Sequence, residues 1–392
     1  MKVYLDNNRL TPVDPQVRAA MEPLLAEPCG DLHAPHWAGA ATRKAYNTAL
    51  EKCYAALHAD AKDTLFFTSG AAESNSAVLT DLYIRLILTG RKNSLIISER
   101  EPLSILQAAR RLEEQGVKVH RLPVTGEGIV DPESLTDYLT PRTGLVCVSL
   151  VDPESGAINP LEEIVEICKR YEVPVHTDAT GAVGKLPIDL ESLEVHSLSL
   201  SGETIHAPAG VGALYLRAGS ELSPLVSGGR SGPERYRGGP LNLAGIAGLG
   251  KALELAVDAL DYEMEDAREL RDRLEEGIRE LPGTTVMIPW ARRVPNTLLA
   301  AFEGVESEAL LYELNREGIA AYSMSLHPFG EWERPSLVKR LGLDPALTHS
   351  TVGFALSRFN TEEEIEHTLK VLDNALEYLR SFSPDAPRKE EA

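Results

Sequence analysis

The sequence predicts an α/β protein: a large domain on a mainly parallel, seven-stranded sheet, joined to a smaller C-terminal α/β domain. Three observations carry this reading. Short β-rich runs alternate with amphipathic helical runs through the first two-thirds of the chain. Alternation of this kind argues for a mainly parallel sheet covered on both faces, with strands 65–68, 94–98 and 145–150 largely apolar. The 392 residues are enough for one large core and a second, smaller one.

The first six residues, Met1-Lys2-Val3-Tyr4-Leu5-Asp6, already read as a strand, so they are expected to be neither a signal nor a transit peptide. Strands follow at 65–68, 94–98, 117–122, 145–150, 173–177, 197–200 and 212–216. Helical patterns lie between many of them, at 72–88, 102–115 and 161–171. A glycine-rich stretch, "VSGGRSGPERYRGGP", leads into a long helix at 241–260 and a charged amphipathic helix at 262–281. Strand and helix then alternate three times through residue 379. This pattern places the large domain at 15–258 and the small domain at 1–14 plus 259–380. The polar end of the chain, 381–392, is expected to be disordered.

Composition excludes several classes of function. A formal net charge of −20 repels nucleic acid and anionic membrane. No apolar run reaches the roughly 18–20 residues that span a bilayer, and the cytoplasm is the expected compartment. Four scattered cysteines without a C-x-x-C pair suggest reduced thiols, with Cys147 and Cys168 in the core.

Two segments carry the chemistry. "FFTSGAAESNSAVL" is a strand, a small-residue turn and a helix start, where free N–H groups can hold an anion. "VPVHTDATGAVGKLPIDL" puts Asp178 at the carboxyl end of a buried strand, and a buried acid there needs a donor or a cation.

Together with "YLDNNRLTPVDP", "SGETIHAPAGVGALYLR" and "RFNTEEEIEHTL", these segments resemble the cysteine desulfurases, the NifS/IscS-like branch of the class-V aminotransferases, over nearly the whole chain. The resemblance implies a fold-type-I architecture, pyridoxal phosphate (PLP) as cofactor, and a homodimer. It also implies a set of site residues, and here the sequence departs repeatedly. The cofactor lysine falls on Thr204, and the histidine before it on Glu203. An ionised Glu203 at about 4 Å from a phosphate would cost on the order of 4 kcal/mol at an effective dielectric of 20. The ring-stacking histidine falls on Pro102 and the phosphate-loop threonine on Ala72. The ring-oxygen asparagine falls on Pro153, and the glutamine after the aspartate on Gly181. The partner-subunit threonine falls on Pro240, with Arg237 and Asn242 kept. The substrate-carboxylate arginine falls on Gly353, while Arg358 matches a second, structural arginine. The persulfide cysteine falls near Ser325, and no cysteine follows Cys168. Asp178 and Ser201 match the pyridinium partner and a phosphate serine. Lys185 matches a packing segment outside the pocket.

The expectation is therefore a desulfurase-like pseudoenzyme without a cofactor. It would act as a homodimer, or as a heterodimer with an active paralogue, docking an iron–sulfur scaffold or a sulfur acceptor. The alternatives are residual PLP-dependent activity, or a pocket repurposed for a small molecule or a metal. The metal candidates are Cys29, His33 and His36, whose side chains suit Zn²⁺ or iron, with His206 and His327 in two other pocket segments.

Overall fold

The computed structural model describes residues 1–230, 232–324 and 337–384. Thirteen strands occur among them. β1 is Val3–Tyr4, β2 Thr64–Thr68, β3 Ser94–Ser98, β4 Lys118–Leu122, β5 Thr143–Cys147, β6 Val175–Asp178, β7 Ser197–Ser201 and β8 Gly212–Leu216. β9 is Thr284–Met287, β10 Thr297–Phe302, β11 Ile319–Ala320, β12 Tyr322–Ser323 and β13 Thr351–Ala355.

β2 to β8 form one sheet in the order β2-β8-β7-β6-β5-β3-β4. Every neighbouring pair is parallel except those made by β8, so six of the seven strands run one way. Period-2 alternation sends successive side chains to opposite faces, and both faces are apolar. Leu65 and Phe67, Ile96, Val146, Leu198 and Leu200 enter one cluster. Phe66, Leu95, Ile97, Leu145 and Cys147 enter the other. This double burial explains the apolar runs within β2, β3 and β5.

β9, β10, β13 and β12 form an antiparallel sheet in the order β12-β13-β10-β9, and β1 pairs with β11. Val3 and Leu5 share an apolar cluster with Leu274, Phe302 and Phe354, so the amino end packs with the C-terminal part of the chain.

The structure departs from the sequence reading in three places. The helices Pro15–Ala26 and Trp37–Ala56 had no counterpart in it. Both are weakly patterned, with many alanines and few large apolar residues, so periodicity alone does not reveal them. The helix expected at 72–88 ends as α-helix at Asp81 and continues as a π-turn over Leu82–Ile87. After residue 281, β9 and β10 follow each other without an intervening α-helix and pair antiparallel, so the expected strict alternation fails there. No described helix is long and apolar enough to cross a membrane.

Candidate active site

Parallel strands deliver their last residues to one edge of the sheet, where ligands bind in folds of this kind. Asp178 ends β6, Ser201 ends β7, and the loops after β2, β3 and β5 supply the rest.

Asp178 is buried. Its Oδ2 accepts from Asn75 Nδ2 at 2.8 Å and its Oδ1 from the Thr180 N–H at 2.9 Å. Burial pushes its carboxyl above the usual range in spite of these donors. Asn75 sits on the helix Ala71–Asp81 and joins β6, β7 and the helix that starts at Leu103. It also donates to Ser104 Oγ at 2.9 Å and accepts from Ser199 Oγ at 2.5 Å. Its Oδ1 lies 2.9 Å from His176 Nε2, and the other ring nitrogen of His176 lies 2.8 Å from Ser197 Oγ. An amide oxygen only accepts, so Nε2 carries the proton and Nδ1 accepts from Ser197. Burial pushes His176 down to about 3, which keeps the imidazole neutral.

The turn after β7 is a short 3₁₀ segment, Gly202–Thr204. Thr204 is buried and its hydroxyl donates to the Thr180 carbonyl at 2.9 Å. Ser201 Oγ donates to Glu203 Oε2 at 2.5 Å and accepts from the Ala71 N–H at 3.3 Å. Glu73 accepts from the Ser69 N–H at 2.8 Å and pairs with Arg237 at 3.2 Å. Carboxylates thus occupy two flanks of the helix start where the sequence suggests an anion site. Ala72 faces outward in the first turn of this helix, and Pro240 is exposed. Asn242 instead caps the helix Leu243–Asp258, accepting from the Gly245 N–H.

The far wall holds residues that sequence reasoning missed. Pro102 precedes the helix Leu103–Glu114, and just before it Arg100 is buried with Nε 2.8 Å from Asp152 and Nη2 3.1 Å from Glu154. These two acids flank Pro153. Glu101 is fully buried and accepts from the Ser149 N–H and hydroxyl. Gly181 packs against Val151, next to the same loop. Tyr322 on β12 donates to the Glu154 carbonyl at 2.6 Å, and its ring lies over Gly353 of β13. The signal for this cluster was in "SEREPLSIL" and "VDPESG": charges in short loops directly after buried strands.

Other expectations land elsewhere. Lys185, expected outside the pocket, is buried and lines a small cleft with Thr204 and His206; its Nζ lies 3.1 Å from Asn8 Oδ1. Arg358 pairs with Asp14 at 2.8 Å, at the start of the helix Pro15–Ala26. Cys29 and His33 line a separate cleft with Arg237 and Pro240. There Cys29 donates to the Leu24 carbonyl, and His33 pairs with Glu234 at 2.6 Å. His36 caps the helix Trp37–Ala56, accepting from the Gly39 N–H at 3.3 Å. No group of three or more potential metal ligands forms among the described residues. Ser325 and His327 lie outside the described residues. Cys147 and Cys168 are buried, and burial pushes both thiols up, Cys168 to about 12.

The buried histidines make a pH prediction. His206 donates through Nδ1 to the Pro12 carbonyl, and burial pushes it down to about 4. His176 and His206 bind fewer protons folded than unfolded below the ordinary histidine value of 6.5. Their contribution to stability is complete above pH 6.5. It falls as the pH drops towards about 4 for His206 and about 3 for His176. Each can cost at most about 1.4 kcal/mol per pH unit in that window. Urea midpoints measured from pH 7 to pH 4 should fall, and the fall should be shallower for His206→Asn.

A sheet of six like-directed strands and one reversed, with a buried aspartate and a serine turn at its carboxyl edge, is the arrangement of fold-type-I PLP proteins. The class-V aminotransferase profile matches residues 3–368, and the chain belongs to that family, in its cysteine desulfurase branch. It is 38% identical over 384 residues to a cysteine desulfurase of Sinorhizobium fredii, covering 97% of this chain and 98% of the relative. It is 37% identical over 383 residues to the cysteine desulfurase NifS of Azotobacter vinelandii, covering 97% and 94%. A solved NifS-like protein superposes with a TM-score of 0.89 at 30% identity, covering 96% of this chain and all of that one.

Family membership corrects the expectation of no cofactor: PLP is the cofactor of this family. The pocket substitutions change individual contacts and do not show that a cofactor has been given up. Against the geometry, the group fits unevenly. Asp178 offers a buried carboxyl that takes two hydrogen bonds and no ion pair among the described residues, which suits a ring N–H. The turn after β7 offers no amine, and the Ser201 hydroxyl is engaged by Glu203. A cofactor tethered as a Schiff base at this turn does not fit these residues, and no chemical step is derived through it.

Proposed function

We propose that this desulfurase-family chain does not itself release sulfur from cysteine, and that its fold serves as a scaffold or regulatory partner in sulfur transfer or iron–sulfur cluster assembly. The observation that carries this reading is Thr204. Lysine-dependent chemistry needs an amine at this turn to hold the cofactor and then leave it. A threonine hydroxyl cannot form that link, and here it is tied to the Thr180 carbonyl. The absence of any cysteine after Cys168 points the same way, because a serine at 325 cannot carry a persulfide. Retained core and dimer-forming family architecture then have value as shape. In this reading the protein is cytoplasmic and works as a homodimer or paired with an active paralogue.

The test supplies purified full-length protein with PLP and L-cysteine, beside an active desulfurase. The expected result is no sulfide above the blank and no adduct trapped by borohydride. The same protein mixed with the active desulfurase is expected to form a mixed dimer or alter its turnover. Sulfide release by this chain alone would overturn the loss of activity. The lack of any complex with desulfurase, scaffold or acceptor would overturn the partner role.

A further inference from the structure

The helix Leu260–Glu280 buries Ala267, Leu274 and Ile278 against the antiparallel sheet, and Arg271 stands in that same face, 1% exposed. Arg293, 4% exposed, lies beside it. A guanidinium does not shed its charge in a protein, so both charges are buried as charges. Their carboxylates are few. Arg271 Nη2 pairs with Asp272, whose side chain is about half exposed and therefore screened. Glu275 pairs with Arg293 and is shared with Arg279. Three N–H groups, Nε and Nη1 of Arg271 and Nε of Arg293, meet no acceptor among the described residues. Burial first, and the Arg293 charge second, push the Arg271 guanidinium below its usual range.

The backbone beside them is also unusual. Ile288 is a β-branched residue at φ +59°, a conformation such residues rarely adopt. Arg293 Nη1 holds it there, donating to the Ile288 carbonyl at 3.2 Å and the Met287 carbonyl at 3.4 Å. Unpaired buried donors and a strained turn at one place are what a ligand-binding position leaves behind when described without its ligand.

We propose that Arg271 and Arg293 form a binding site for one small monovalent anion of halide size, between the helix Leu260–Glu280 and the turn at 287–293. The charge follows from the donors, which are all cationic N–H groups. The size follows from closure to solvent: Arg271 is 1% and Arg293 4% exposed, so an ion between them has to fit among buried side chains.

Melting of the full-length protein in sodium chloride and in sodium gluconate, at equal ionic strength, tests this. Chloride should raise the melting temperature saturably, by about 2 °C or more once well above its dissociation constant, while gluconate is too large to enter. Arg271→Met should abolish the difference between the two salts, and Arg316→Met, an exposed arginine on another helix, should keep it. Bromide soaked into crystals of the unsubstituted protein should give an anomalous peak beside Arg271, which decides the matter even if Arg271→Met does not fold. Equal melting in both salts, or a crystal showing only ordered water beside Arg271, would overturn the proposal.

Discussion

Gly353→Arg will leave the protein unable to fold. Gly353 lies in β13 between β10 and β12, opposite Leu299 on one side and Tyr322 on the other. A Cβ at 353 would stand 2.2 Å from Tyr322 Cζ and 2.6 Å from its hydroxyl oxygen. Tyr322 cannot step aside cheaply, since it is buried and its hydroxyl is held by the Glu154 carbonyl. Overpacking a dense core costs typically about 1–3 kcal/mol for added methylenes, and burying a guanidinium with it costs several more. The sum consumes most of the roughly 5–15 kcal/mol that holds a protein folded. The expected readout is insoluble expression of Gly353→Arg and partial recovery of soluble protein when Tyr322→Ala is added. Soluble Gly353→Arg with an unchanged melting temperature would show that the ring over Gly353 is free to move. The substitution is instructive because arginine is the residue that the desulfurase resemblance places there. The tyrosine has taken its room, so that arginine cannot return by a single substitution.

Arg100→Met should cost about 3–5 kcal/mol in urea unfolding, the usual penalty for removing one partner of a buried ion pair. Arg100 is the guanidinium between Asp152 and Glu154, and with Arg100 and Asp152 buried and Glu154 largely covered, solvent is a poor substitute for it. Both carboxylates hold Arg100 above its usual range against the opposing effect of burial. A triple replacement, Arg100→Met with Asp152→Asn and Glu154→Gln, should recover part of the loss, because it removes the uncompensated charge as well as the pair. A loss below 1 kcal/mol for Arg100→Met would mean that water reaches the cluster and screens it.

Much of the site was legible in the sequence, and the reason is local. Asp178 and Ser201 each end a β-rich run, and in a parallel sheet the end of such a run is an address at the ligand edge. The absence of an amine at 204 and of a thiol after Cys168 needs no coordinates. The cluster of Arg100, Asp152 and Glu154 was not found, although the prolines beside it were singled out. A charged residue in a loop reads as solvated until the fold shows two loops folding over each other. Lys185, read as part of a packing segment, is buried, and its ammonium lines a small cleft with Thr204.

The alternation of β-rich and helical runs by itself determined a covered, mainly parallel sheet, because crossover helices between parallel strands pack on the faces of the sheet. Residue identity alone also settled which reactive groups the turn at 201–204 lacks. Tertiary structure decided what stands in their places: Glu203 on Ser201, Thr204 on Thr180, Tyr322 over Gly353, and Arg100 between two acids. Apart from Glu203 on Ser201, which lies within one turn, these contacts join residues from different strands and loops. Their energies depend on distance and on exclusion of water, and neither exists until the chain has closed on itself.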